Sequence, residues 1–245
     1  MANRHNLSRE IPDPVKRRVR QRCGFGCVMC ASAIVDYEHF DPEYADAQAH
    51  DPNGITLLCP SCHAKKTRGF MSADRVKKAN QSPAALKNRY AYSETEGTKL
   101  RPFIKFAGLT LKNCQIPILL KGYPVLQIED AEEEGGPYLL SANFFDRTGR
   151  PSLTIVRNEW KVLTESWDVE ASGGTVTVRT GPGEIALRLA FCPGEGLVVE
   201  RLEMLCAGFR ISGNANVLQI YPPHGGCFQF TKSIVDGELV GLQCG

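Results

Sequence analysis

Two Cys-x-x-Cys pairs constrain this chain more than any other feature of its sequence. Cys27 and Cys30 form the first pair, and Cys59 and Cys62 form the second. The segment between the pairs is long enough to fold back as a hairpin, and four thiolates satisfy the tetrahedral preference of zinc. Ordinary buried cysteines have no reason to fall into two matched pairs. The spacing therefore predicts one structural zinc site with four cysteine ligands.

The remaining sequence favours metal binding over disulfide bonding as the use of these cysteines. Ten cysteines in 245 residues would suggest a disulfide scaffold only in a short secreted chain, and no apolar run follows the charged N-terminal residues as in a secretory signal. No apolar run approaches the about 18 residues that a membrane helix needs. We therefore expect a cytoplasmic protein with no membrane contact.

A net charge of only +2 hides an asymmetry along the chain. Residues 1–92 carry 15 Lys and Arg against 9 Asp and Glu, whereas residues 93–245 carry 14 against 18. The excess of Lys and Arg in residues 1–92 suits contact with a phosphate backbone, although a solvated helix face can have the same composition. The candidates for contact with nucleic acid are Lys16, Arg17, Arg20, Lys65, Lys66 and Arg68.

The pattern of the chain changes at a polar stretch, residues 93–98, which indicates a linker. Before it, the sequence predicts a basic helix at about 13–22, strands at 33–40 and 55–58, and a helix that begins near Pro60. After it, short alternating segments separated by glycine-rich turns predict an all-β sandwich or barrel. We therefore expect an α+β protein with a small N-terminal domain, 1–95, and a β-rich C-terminal domain, 96–245.

Four polar residues lie between and beside the cysteine pairs: Glu38, His39, Asn53 and His63. A structural zinc site is complete with four ligands and performs no chemistry, so these residues would have no role if the zinc only stabilised the fold. A histidine of ordinary pKa, near ~6.5, can serve as a base at neutral pH. The other three histidines lack such neighbours, and we expect them on the surface or in loops: His5, His50 and His224.

The residues from Arg22 to Thr67 resemble the HNH endonuclease family in its form with a four-cysteine zinc site. The resemblance covers about a fifth of the chain and depends on order and spacing. Its motifs are Cys27-x-x-Cys30, then Tyr37-Glu38-His39-Phe40, then Asn53 before Ile55-Thr56-Leu57-Leu58, then Cys59-x-x-Cys62-His63-x-x-Lys66-Thr67.

The resemblance implies a ββα-metal fold and a set of catalytic roles. His39 would be the general base that takes a proton from the attacking water, and Glu38 and His63 would hold one catalytic Mg²⁺ or Mn²⁺ ion. Asn53 would fix its loop and orient the base. The implied products carry 5′-phosphate and 3′-hydroxyl ends. The family more often has Asp where this chain has Glu38, which leaves the exact ligand role of the longer side chain open.

These features together predict a metal-dependent HNH endonuclease that acts on DNA, with its activity controlled by the C-terminal domain. The alternative is a non-catalytic, zinc-containing module that binds nucleic acid. For the C-terminal domain, a sensor that takes a ligand or protein partner, a targeting domain and a domain that forms a homo-oligomer all remain open, because no motif there decides among them.

Overall fold

The computed structural model describes residues 2–237 and 239–245, which form a mixed α+β fold with few helices and much β-sheet. The predicted α+β class is therefore confirmed. Two compact units are present: the first comprises Met1–Ser93 with Val162–Ala171, and the second comprises Glu94–Lys161 with Ser172–Gly245. No helix among the described residues has the length and apolar character needed to cross a bilayer.

The helices and strands follow one another in a simple order. The helices are α1 Asp13–Cys23, α2 Pro60–Thr67, α3 Ala73–Gln81 and α4 Ala84–Asn88, and a 3₁₀ turn spans Pro52–Gly54. The strands are β1 Asp36–His39, β2 Ile55–Leu58, β3 Tyr90–Glu94, β4 Phe103–Phe106, β5 Leu109–Lys112, β6 Ile116–Leu120, β7 Tyr123–Glu129, β8 Leu139–Phe145, β9 Pro151–Val156, β10 Glu159–Leu163, β11 Asp168–Ser172, β12 Thr175–Gly181, β13 Glu184–Cys192, β14 Gly196–Cys206, β15 Phe209–Asn214, β16 Val217–Tyr221, β17 Phe228–Thr231, β18 Ser233–Asp236 and β19 Val240–Cys244.

The first unit is organised around the antiparallel hairpin of β1 and β2. Glu38 pairs with Thr56 and His39 pairs with Ile55 across this hairpin. All four residues of β2 are buried, so this strand is fixed in the core and holds β1 beside it. The hairpin thereby fixes the backbone that carries Glu38 and His39.

The helix α2 begins directly at the end of β2. Cys59 is its N-cap residue, and the Cys59 thiol accepts a hydrogen bond from the backbone N–H of Cys62 at 3.4 Å. Pro60 occupies the first helical position, where its missing N–H and fixed φ suit a helix start. The predicted helix start near Pro60 is confirmed, and its short connection to β2 brings the α2 side chains close to the hairpin.

One segment from the later part of the chain, Val162–Ala171, belongs to the first unit. Its Asp168 is buried and accepts two hydrogen bonds from the Arg20 guanidinium, at 2.8 and 2.7 Å. Gln21 donates to the Trp167 carbonyl at 2.7 Å. A bidentate pair of this kind is among the strongest polar contacts in a protein interior, so it attaches the segment firmly to α1.

The second unit consists mainly of antiparallel strands joined by hairpins. One sheet places β6 to β10 in chain order, with β19 next to β6. A second sheet places β12 to β17 in chain order, and it is extended by β4, which is parallel to β14, and by β5 and β18. Phe106, Phe144 and Phe209 are among the large side chains that are fully buried in this unit.

Candidate functional site

The four cysteines of the two Cys-x-x-Cys pairs meet in one cluster. Their Sγ atoms all lie within 4.8 Å of one another, and the Sγ atoms of Cys30 and Cys59 are 3.6 Å apart. A zinc ion with Zn–S bonds of about 2.3 Å separates tetrahedral sulfur ligands by about 3.8 Å. The four thiols could therefore hold a metal ion such as zinc. Cys23, which has a three-residue gap to Cys27, lies outside the cluster, 3.8 Å from the Thr56 hydroxyl.

Backbone hydrogen bonds bring the two pairs together. The N–H of Val28 donates to the Leu57 carbonyl at 3.0 Å, which ties the first pair to β2, the strand that ends at Cys59. Gly26 is needed beside this contact, because a Cβ at its position would lie 2.8 Å from the Ala31 carbonyl oxygen. The cluster is thus built from the loop after α1 and the first turn of α2.

The pKa values of the cluster thiols are shifted in opposite directions. Burial, followed by the nearby Cys27, raises the pKa of Cys30 to about 11, and burial also raises the pKa of Cys62. The pKa of Cys59 is lowered, because the hydrogen bonds that it accepts outweigh the effect of its burial. Four thiolates at this spacing would repel one another, so a bound cation would be needed to keep all four deprotonated.

A polar cleft of about 420 Å³ lies beside the hairpin in the first unit. It is lined by residues of β1, by two residues of α2, by the loop after β1 and by the segment before α1. The lining residues are Arg9, Ile11, Asp36, Tyr37, Glu38, His39, Glu43, Tyr44, Ala45, His63 and Lys66. Three of the four predicted catalytic residues are therefore in one cleft.

The Glu38 carboxylate is held by two side chains of α2. His63 Nε2 donates to Glu38 Oε2 at 2.9 Å, and Lys66 Nζ donates to Glu38 Oε1 at 2.6 Å. His63 and Lys66 are three residues apart, so they lie on one face of the helix. Burial lowers the pKa of Lys66, but the hydrogen bonds and charges of Glu38 and Glu43 outweigh burial and raise it.

His39 is buried at the end of β1 and contacts a second histidine. Its Nε2 lies 3.1 Å from His50 Nδ1, and its ring packs edge-on against Tyr44 with the ring centroids 5.4 Å apart. Burial first, and then the neighbouring His50, lower the pKa of His39, whereas Glu38 raises it by a smaller amount. His39 is therefore neutral at pH 7.

His50 lies in a loop, as expected, but its ring contacts His39, which the sequence analysis did not predict. His50 follows a loop of irregular structure, and the contact with His39 spans eleven residues. No spacing rule connects two histidines across such a loop. Only the path of the chain from β1 to the 3₁₀ turn brings them together.

Asn53 is not brought to the cleft. It lies in the 3₁₀ turn with its side chain exposed, and its backbone N–H donates to Asp51 Oδ1 at 2.9 Å. The loop is instead held to the end of β1 by the Gly54 carbonyl, which accepts from the Phe40 N–H at 3.0 Å. The role of orienting the base, which the resemblance gives to Asn53, has no support in this geometry.

The basic residues of α1 are largely engaged within the first unit. Arg20, a predicted contact for nucleic acid, is buried against Asp168 and also donates to the Tyr37 hydroxyl at 2.8 Å, so it is not available to a phosphate. Arg17 stacks on the Trp167 ring at 4.8 Å. Lys16 lies 3.8 Å from Asp13 of its own helix.

The basic residues of α2 fall into two groups. Lys66 is only 11 % exposed and is paired with Glu38 and Glu43, so it too is removed from the predicted set of phosphate contacts. Lys65 and Arg68 are exposed. Of the six predicted basic contacts, these two are the most accessible to a phosphate backbone.

No protein-family model, curated protein or solved structure matches this chain.

Proposed function

We propose that this protein is a metal-dependent endonuclease of the HNH class, which hydrolyses phosphodiester bonds in DNA. The observation that carries the proposal is the meeting of Glu38 and His63, from a strand and a helix, at 2.9 Å in the cleft that His39 also lines. A carboxylate, an imidazole and a neutral histidine are the groups needed for a cation site beside a base.

Glu38 and His63 fit a hexacoordinate divalent cation. Ligands at about 2.1 Å from Mg²⁺, at right angles to one another, are separated by about 3.0 Å. Glu38 Oε2 and His63 Nε2 are at a similar separation, 2.9 Å, but there His63 Nε2 donates a hydrogen bond, so His63 would have to carry its hydrogen on Nδ1 instead before both atoms could hold one cation. When bound there, Mg²⁺ or Mn²⁺ would supply Lewis-acid stabilisation of the charge on the phosphate.

His39 is suited to accept a proton at neutral pH. Its lowered pKa keeps it unprotonated, and it lines the same cleft as the two candidate ligands. In the proposed reaction it takes a proton from the water that attacks phosphorus. Its neighbour in sequence, Glu38, adds a negative charge that stabilises the imidazolium formed.

The cysteine cluster and the order of elements support a ββα-metal arrangement. A strand with Glu38 and His39, a second strand and a helix with His63 follow one another, and the Cys59 and Cys62 thiols lie at the start of that helix. In this proposal zinc is a structural ion that fixes α2 against the hairpin. Lys65 and Arg68 then contact the DNA backbone.

A second candidate function is a zinc-containing module that binds nucleic acid without cutting it. The observation that favours it is the contact of Lys66 Nζ with Glu38 Oε1 at 2.6 Å, because an ammonium there competes with a cation for the same carboxylate. The two functions differ in one property, which is cleavage that depends on added divalent metal.

The test is the cleavage of supercoiled plasmid by the zinc-loaded full chain across a titration of Mg²⁺ or Mn²⁺. We expect cleavage that requires the added ion and that leaves 5′-phosphate and 3′-hydroxyl ends. Glu38→Gln should raise the metal concentration needed for half-maximal rate, whereas Glu43→Gln, which removes the neighbouring charge, should shift it much less. Binding of the plasmid without any metal-dependent cleavage would favour the second candidate.

A further inference from the structure

The contact between His39 and His50 has a feature that packing alone does not explain. His39 Nε2 and His50 Nδ1 are at hydrogen-bonding distance, 3.1 Å, and the other ring nitrogen of His50, Nε2, is buried without a partner among the described residues. A buried polar atom without a partner destabilises the folded state. A histidine held at such a cost requires an explanation in terms of what it does for its neighbour.

One proton lies between the two facing nitrogens, and its position decides what His39 can do. If His50 Nδ1 carries the proton, His39 Nε2 accepts it and His39 Nδ1 carries a hydrogen, so His39 has no bare nitrogen. If His39 Nε2 carries the proton, it donates to His50 Nδ1, and His39 Nδ1 is a free lone pair. Only the second arrangement leaves a base in the cleft.

We infer that His50 is a positioning residue: its Nδ1 accepts the Nε2–H of His39 and thereby keeps His39 Nδ1 bare for the water that His39 deprotonates. The inference rests on the proposed nuclease function. When His39 Nδ1 takes a proton from water, the imidazolium retains the Nε2–H···Nδ1 bond to His50, and the hydroxide remains to attack phosphorus.

The position of Asn53 favours this assignment. A base needs a group that fixes its ring and its tautomer, and Asn53 is exposed and does not line the cleft. Around the His39 ring, Tyr44 packs edge-on, and His50 is the side chain at hydrogen-bonding distance from a ring nitrogen. His50 therefore occupies the place of the orienting group.

An alternative explanation of the 3.1 Å distance between His39 Nε2 and His50 Nδ1 is that the two histidines bind a metal ion together. Among the described residues, the four cysteines are the group of three or more His, Cys, Asp and Glu that could hold an ion. An ion between His39 and His50 would have two protein ligands, as the proposed cation at Glu38 and His63 has, but it would leave no base in the cleft. The experiment distinguishes the two roles by the metal requirement of His50 variants.

The test compares His50→Asn with His50→Leu in the zinc-loaded full chain. Asn places its Oδ1 one bond beyond Cγ, where histidine has Nδ1, so it keeps the acceptor, whereas Leu has a methyl group there. His224→Leu removes an exposed histidine of the second unit and serves as the matched control. Three quantities are measured: kcat and KM for DNA, the metal concentration for half-maximal rate, and the His39 tautomer from ¹⁵N NMR.

We expect His50→Leu to lower kcat by about 10- to 100-fold with KM and the metal requirement unchanged. His50→Asn should keep kcat within about threefold of the parent value, and the parent spectrum should show His39 protonated at Nε2. The inference is overturned by a parent tautomer with Nδ1–H, by an unchanged kcat in His50→Leu, or by a metal requirement that rises in both variants.

Failure of the nuclease proposal would be a separate result. A parent protein that cuts no DNA at any metal concentration overturns the proposed function. The ¹⁵N spectra then still decide whether His50 holds His39 in the Nε2–H form, because the tautomer is measured without substrate.

Discussion

The cysteine cluster and the cleft use adjacent residues of the same short helix for opposite purposes. Cys62 contributes a buried thiol to a closed set of four, whereas His63, the next residue, projects into an open cleft with a carboxylate and a neutral histidine. The cluster has no free position for a substrate if its four ligands hold one zinc ion. In the proposed function the cleft holds its cation with two protein ligands, Glu38 and His63, and leaves room for phosphate and water. In the proposed function, one helix thus carries both a structural site and a reactive one.

The largest expected effect concerns the cluster. Cys59→Ser should reduce bound zinc below half an equivalent and abolish the cooperative unfolding of the first unit, since metal binding contributes about 10–16 kcal/mol in small zinc domains. Elemental analysis and thermal unfolding measure these losses. Cys23→Ser, which changes a buried cysteine outside the cluster, should keep a full equivalent of zinc. Equal zinc in the two variants would contradict the four-cysteine site.

The next effect concerns the support of the cleft by the segment Val162–Ala171. Asp168→Ala leaves the buried Arg20 without its partner and should lower the free energy of unfolding by about 3–5 kcal/mol. Glu170→Ala removes a more exposed carboxylate 3.7 Å from Arg20 and should cost less than about 1 kcal/mol. Denaturant unfolding measures the free energy of unfolding of both variants. Tyr37, which lines the cleft, bonds to Arg20, so activity should fall with Asp168→Ala while zinc content stays full.

If both carboxylate variants unfold at the same denaturant concentration as the parent, the buried ion pair does not stabilise the first unit.

The ion pair between Arg20 and Asp168 also affects how stable an isolated N-terminal fragment can be. Residues 1–95 alone lack Asp168, so this fragment should be less stable than the first unit of the full chain even when its zinc site is filled.

A smaller effect should appear at the lysine that competes for Glu38. Lys66→Gln removes the ammonium from Glu38 Oε1, and the metal concentration for half-maximal cleavage should then fall by about tenfold, which corresponds to about 1.4 kcal/mol. Lys65→Gln, one residue earlier and exposed, is the matched control and should leave the metal requirement unchanged. A higher requirement in Lys66→Gln would show that the lysine supports the site instead of competing in it.

The smallest expected effect concerns contact with the DNA backbone. Replacing Lys65 and Arg68 by Gln should reduce the slope of log affinity against log salt by about 1.8, because each phosphate contact contributes about 0.9. Lys16→Gln should change the slope less, since Lys16 has an acidic neighbour on its own helix. Fluorescence anisotropy at several salt concentrations gives the slopes. Equal slopes for the parent and the double variant would place the DNA elsewhere.

The sequence predicted those parts of the site in which spacing determines geometry. Two Cys-x-x-Cys pairs can close only one four-thiol cluster, and the short step from β2 into α2 puts His63 next to Glu38. The α+β class followed from the change of pattern after the polar stretch. In each case the deciding residues are close in sequence or belong to one hairpin.

The rest of the site depends on contacts that no local rule specifies. Arg20 and Asp168 are 148 residues apart, and nothing in a basic helix distinguishes the one guanidinium that turns inward from those that stay exposed. His50 reaches His39 through an irregular loop, and Asn53 is turned outward in a 3₁₀ turn. Burial and loop conformation, which depend on the whole fold, decide these positions.

The central claim is that His39 is the base of a nuclease whose zinc lies elsewhere, and His39→Ala tests it most directly. The measurement is the single-turnover rate of plasmid cleavage at saturating DNA and Mg²⁺, compared with the parent protein at equal zinc content and equal DNA affinity. The account predicts a rate lower by about 10²–10⁴, with zinc and DNA binding unchanged. A His39→Ala protein that cuts DNA as fast as the parent would contradict it.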